Sequence, residues 1–166
     1  NRIIIAMGSV SGAIEEVVDN LRSKGESVGY VQVHLYRPFS VKHLLSAIPK
    51  TVKSIAVLDR TKEPGSVGEP LYEDVCAAFM ETDRRPAIYA GRYGLSSKDT
   101  TPAQIVAVYD NLKLDNAKHH FTIGINDDVT NLSLPIGEEI DVIPPGTISC
   151  KLWGMGSDGT VGANKN

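Results

Sequence analysis

Short runs of consecutive apolar residues alternate repeatedly with helical apolar stripes, and this alternation restricts the fold of the chain more than any other feature. Ile3 to Met7 is an unbroken apolar run ended by Gly8, the pattern of a strand buried on both faces. The small-residue turn Gly8 to Gly12 follows, and then Ile14, Val17, Val18 and Leu21 recur along one stripe of a helix. Ser9 or Ser11 is expected to cap that helix, with Glu15 and Glu16 near its positive end, and Gly25 to close it. Val28 to Leu35 reads as a second strand. Ser40 is expected to cap a helix through Val41, Leu44, Leu45 and Ile48. Ser54 to Asp59 reads as a third strand, and Pro70 suits the first turn of a helix carrying Leu71, Val75, Ala78 and Phe79. Ala87 to Ala90 is a fourth strand, Thr101-Pro102 opens a helix through Ile105, Val108, Tyr109 and Leu112, and His119 to Ile125 is a fifth strand.

Strands and helices alternating at this pitch build parallel β-α-β crossovers with helices on both faces of one sheet. The expected fold is therefore a three-layer α/β domain with a mostly parallel sheet of about five strands over residues 1–125. Residues 126–147 hold turn formers and no sustained period, which reads as a linker or arm. Residues 148–166 read as the opening of a further unit: a strand from Ile148 to Trp153, then a dense glycine loop, with the sequence stopping before a following helix. The chain starts on a strand already under way, so both ends are expected to be cuts within a longer polypeptide.

Composition narrows the chemistry. Among the 166 residues, 42% are hydrophobic and 22% charged, with a formal net charge of −3 and no block of like charge. These are the proportions of a soluble globular domain, and there is no basic stripe of the kind nucleic acid requires. No apolar stretch approaches the ~20 residues of a membrane helix. Cys76 and Cys150 stand apart without Cys-x-x-Cys spacing. That arrangement supplies neither a zinc site nor an iron–sulfur cluster and fits a reducing cytoplasm.

Gly154, Gly156 and Gly159 carry the sharpest chemical signal, a Gly-x-Gly-x-x-Gly spacing after an expected strand. Glycines let backbone amides approach a phosphate closely, and a helix starting just beyond would aim its own amides at the anion. Lys165 would add positive charge. No Gly-Lys-Ser/Thr occurs, which excludes a P-loop. The competing reading is a tight turn without a ligand. His119 and His120, adjacent on a strand, would face opposite ways and cannot share a metal. His34 and His43 lie on separate elements. Asp59, Glu63 and Glu69 border the loop after the third strand, where parallel sheets bind ligands. Without a nucleophile or titratable pair, however, a charged surface loop is the preferred reading. Asp127-Asp128 lacks calcium-loop spacing and reads as an exposed turn.

Several longer phrases are more specific. Leu35-Tyr36-Arg37-Pro38-Phe39, Ile55 to Gly65, Gly91-Arg92-Tyr93-Gly94-Leu95, Gly124 to Thr130 and Lys151 to Lys165 resemble the pyruvate:ferredoxin (flavodoxin) oxidoreductase family, and the likeness runs along essentially the whole chain. The resemblance implies that residues 1–125 form that enzyme's second domain, similar to the C-terminal domain of transketolase. It also implies that residues 148–166 open a third domain implicated in coenzyme A binding. Gly156, Ser157, Asp158, Gly159 and Thr160 would be its phosphate-contacting loop. No catalytic residue and no metal ligand is expected here.

By the same resemblance, the whole enzyme decarboxylates pyruvate oxidatively with coenzyme A, giving acetyl-coenzyme A, carbon dioxide and reduced ferredoxin or flavodoxin. It does so as a homodimer, with thiamine diphosphate, Mg2+ and [4Fe-4S] clusters held by other domains. The segment alone would be inactive. Two other readings stand beside this one: a freestanding flavodoxin-like module for nucleotides or phosphate ligands, and a domain used only for protein association.

Overall fold

The computed structural model describes residues 1–165. The side chains of Ser97, Asn164 and Lys165 fall outside that description, and with them the charge expected from Lys165. Five strands, β1 (Arg2–Ala6), β2 (Val28–Gln32), β3 (Ser54–Asp59), β4 (Ala87–Arg92) and β5 (Phe121–Thr122), form one sheet in the order β2-β1-β3-β4-β5. Every pairing in it is parallel. Helices α1 (Ser11–Ser23) and α4 (Pro102–Asn111) cover one face, and α2 (Val41–Ala47) and α3 (Pro70–Met80) cover the other. This is the three-layer α/β fold expected from the alternation of apolar runs.

Alternation along β1 sorts the core into its two halves. Ile4 and Ala6 pack with Ile14, Val17, Ile105 and Val108, whereas Ile3 and Ile5 pack with Leu44, Leu71 and Val75. Two tyrosines tie distant segments together through buried hydroxyls. Tyr109 Oη donates to the Gly29 carbonyl at 2.8 Å, and Tyr93 Oη donates to the Met7 carbonyl at 2.9 Å.

Several boundaries differ from those read in the sequence. β2 ends at Gln32 rather than Leu35 because its neighbour β1 ends at Ala6, the residue paired with Gln32. Leu35, beyond the ladder, is exposed. β4 continues through Gly91 to Arg92, because β3 offers Leu58 and Asp59 as partners. Glycine at 91 does not break the strand. It admits the Phe121 ring, which a Cβ there would meet at 2.4 Å.

α1 starts at Ser11 with Val10 at its N-cap, so neither serine caps it and no acidic residue lies in its first turn. Ser11 Oγ instead donates to the Gly8 carbonyl at 2.7 Å and accepts from Tyr30 Oη. The other expected caps are present: Ser40 accepts from His43 N, and Pro70 begins α3.

The fifth strand is only two residues long, and His119 and His120 precede it. Residues beyond it still pack on the body. Leu134 is buried, Ser133 bridges to Thr122, and Ile140 and Val142 rest against the core. Ile148 to Trp153, expected as a strand, pairs with nothing among the described residues and is exposed, Trp153 at 81%. A short helix, α5 (Thr160–Lys165), does follow the glycine loop, where the sequence was expected to stop before one. No helix among the described residues is long and apolar enough to cross a membrane.

Candidate functional site

The carboxyl ends of the strands carry the polar groups of this domain. At the end of β3, Asp59 is 3% exposed, and its two carboxylate oxygens accept Leu71 N–H and Tyr72 N–H at 3.1 Å each. It closes the N-terminus of α3 from outside the helix. Burial pushes its carboxyl up to about 6, against the pull of those two amides. Glu69, at the N-cap of α3, is also buried, and its Oε1 lies 3.3 Å from Arg92 Nε. Glu63 is exposed. Of the three acids read as a surface loop, two are therefore interior groups that hold α3 and β4 in place. Their burial was hidden in the sequence because the loop between them is rich in charged residues and turn formers.

The chain order reverses between β1 and β3, and a crevice of about 390 Å³ opens there, lined by Ser9, Arg60, Tyr93 and Lys98 among others. Arg60 spans it, donating to Ser9 Oγ and to the Gly94 carbonyl at 3.1 Å each. Tyr93 and Gly94, just after β4, supply the far wall. Sequence spacing singled out neither Arg60 nor Lys98. The positional rule for parallel sheets, applied to the β1, β3 and β4 ends together, would have found them.

The two adjacent histidines do not face opposite ways. His120 has φ of 55°, which turns the chain before β5 and brings the ring centroids of His119 and His120 within 4.0 Å. Alternation applies to extended residues, and this pair is not extended. Among the described residues no three His, Cys, Asp or Glu side chains come together in a way that could hold a metal ion. Cys76 and Cys150 are free thiols, and burial raises the Cys76 thiol above its ordinary value. Asp127 accepts the amides of Val129, Thr130 and Leu132 and closes an exposed turn on itself.

In the terminal loop, Gly156 and Gly159 have φ of 81° and Ser157 has φ of 54°. That backbone favours glycine. Asp158 lies between the two glycines and bonds the loop's own backbone. Its carboxylate accepts Met155 N–H at 2.9 Å and Thr160 N–H at 3.0 Å, the second lying at the start of α5. These bonds hold its carboxyl down to about 2. Gly156, Ser157, Asp158 and Gly159 are exposed and Thr160 is half-buried, so the five residues stand together on the surface.

Residues 1–105 match the family described as pyruvate:ferredoxin oxidoreductase core domain II. Over 166 residues the chain is 58% identical to a pyruvate-flavodoxin oxidoreductase of Enterobacter agglomerans, and over 165 residues it is 56% identical to a pyruvate:ferredoxin oxidoreductase of Moorella thermoacetica. Each alignment takes in 99% of this chain but 14% of the relative's length. A mitochondrial pyruvate dehydrogenase (NADP+) of Euglena gracilis is 48% identical over 167 residues, which make up 9% of that protein. With its five-stranded parallel sheet and near-complete alignment to these proteins, the chain belongs to the pyruvate:ferredoxin oxidoreductase core domain II family.

Proposed function

We propose that this chain serves a pyruvate:ferredoxin or pyruvate:flavodoxin oxidoreductase as a structural α/β domain, residues 1–125, an arm, residues 126–147, and the opening of a coenzyme A-binding domain, residues 148–166. The observation that carries this reading is the 58% and 56% identity to two such enzymes across 99% of the chain. A freestanding nucleotide-binding module is not favoured, because the relatives hold this stretch as 14% of much longer polypeptides.

The reaction of the assembled enzyme is the oxidative decarboxylation of pyruvate. The carboxylate leaves as carbon dioxide, the acetyl group passes to the coenzyme A sulfur, and the released electrons go to ferredoxin or flavodoxin. Thiamine diphosphate, Mg2+ and [4Fe-4S] clusters belong to other domains of the polypeptide. The two separated thiols, Cys76 and Cys150, fall short of the four a [4Fe-4S] cluster takes. The partners are those other domains and a second subunit of a homodimer, in the cytoplasm.

Within the chain, Gly156, Ser157, Asp158, Gly159 and Thr160 contact the phosphates of coenzyme A once the neighbouring domain is complete. The positive φ at Gly156 and Gly159 and the helix that starts at Thr160 support that role. Pyruvate-dependent, coenzyme A-dependent reduction of ferredoxin or flavodoxin by the full-length protein tests the proposal. Absence of turnover from a preparation that carries its clusters and thiamine diphosphate would overturn it.

A further inference from the structure

The β4–β5 ladder begins only at Gly91 and Phe121, which leaves the Ala90 amide at the sheet edge without a backbone partner on β5. The His119 side chain takes that place: Ala90 N–H donates to its Nδ1 at 3.1 Å. An accepting Nδ1 puts the ring proton on Nε2, which lies 3.4 Å from Tyr72 Oη on α3. One imidazole thus joins the edge of the sheet to the helix on its face, and it can do so only in the neutral form.

We propose that His119 is an acid-sensitive latch on the β5 edge of this domain: neutral, it closes the Ala90 amide and joins β4 to α3; protonated, it releases both. In the imidazolium, Nδ1 bears a hydrogen and meets the Ala90 N–H donor to donor, so the ring must leave its seat. The His120 ring, tilted against it with centroids 4.0 Å apart, adds repulsion whenever both rings are charged. The surroundings supply little to hold the charged form. Burial and His120 both lower the His119 pKa.

Tyr72 on α3, pushed up to about 12, and the Cys76 thiol behind it, also raised, stay neutral through the range in which histidine titrates. On β4, Tyr89 presents its ring at 6.2 Å, and Arg92 donates to the His120 carbonyl while lying beside Glu69. The segment freed by the latch is the approach to β5, residues 117–120, which enters the sheet through the two-residue β5.

Hydrogen exchange of the Ala90 amide in this chain, corrected for intrinsic exchange and referred to the Ala56 amide, tests the latch at pH 7.5 and pH 5. Protection at Ala90 is expected to fall about tenfold at the lower pH, the scale of one lost buried hydrogen bond. His119→Asn sets an amide oxygen where Nδ1 was, an acceptor that does not titrate, and is expected to hold Ala90 protection constant between the two pH values. Constant protection in the wild type, or an equal fall in wild type and variant, overturns the proposal. Should the variant not fold, the 15N shifts of the His119 ring in the wild type decide. An Nδ1 without hydrogen at pH 7.5, gaining one as Ala90 protection is lost, supports the latch; a hydrogen on Nδ1 at pH 7.5 overturns it.

Discussion

Asp59 closes the N-terminus of α3 from twelve residues before Leu71, the amide it accepts at 3.1 Å. A strand end thereby supplies the cap that Glu69, the residue at the N-cap position, does not provide with its own side chain. Truncation by Asp59→Ala leaves a buried and a part-buried donor open and is expected to destabilise the fold by about 2 kcal/mol, the upper range for a lost helix cap. The pH dependence follows from the raised carboxyl. Its folded value of about 6 exceeds an unfolded value near 4, so the folded state holds the proton more tightly. The Asp59 contribution is therefore full below pH ~4 and declines as pH rises towards ~6. Urea midpoints of wild type and Asp59→Ala should differ more at pH 4.5 than at pH 7.5; a gap that widens with rising pH contradicts this assignment.

Gly91 and Phe121 make the second relationship open to test. A methyl group at 91 would sit 2.4 Å from the Phe121 ring and 2.8 Å from Leu58 Cδ2, between two buried side chains. Gly91→Ala is expected to cost about 2 kcal/mol through overpacking and to lower the thermal midpoint by roughly 4–8 °C for a chain of this size. An unchanged midpoint would mean that the ring swings aside at no cost.

The glycine loop supports a prediction in two parts. Asp158 engages the amides of Met155 and Thr160, so this chain by itself is expected to show no micromolar heat of binding with coenzyme A in calorimetry. In the full-length enzyme, Gly159→Val is expected to raise the KM for coenzyme A about tenfold while leaving that for pyruvate unchanged, as loss of ground-state binding requires. Micromolar affinity in the isolated chain, or an unaltered KM in the variant, counts against the assignment of the loop.

Strands β1 and β3 were legible in the sequence to within a residue, because central parallel strands are buried on both faces and read as unbroken apolar runs. β2 was overextended and β4 cut short, since an edge strand lasts only as long as its neighbour's ladder, and Gly91 looked like punctuation until Phe121 was seen to fill the space beside it. The serine expected at the α1 cap went instead to the Gly8 carbonyl and Tyr30 hydroxyl. Local propensity is blind to such long-range competition. Among the candidate site residues, the positive φ at Gly156 and Gly159 was foreshadowed by spacing alone. The self-engagement of Asp158 was not, because it depends on a turn geometry that composition does not encode. The approach of His119 to His120 escaped for a related reason: a single left-handed residue cancels the alternation rule.

The hydroxyl of Tyr109 reaches the Gly29 carbonyl across eighty positions of chain, from inside α4. The stretch recognisable as core domain II ends at Ile105, four residues short of it and within the same helix. The family signature and the packed body are thus of unequal length. A segment trimmed to the signature would keep the outer strand β2, lose the Tyr109 anchor on it, and lose the other outer strand, β5, altogether.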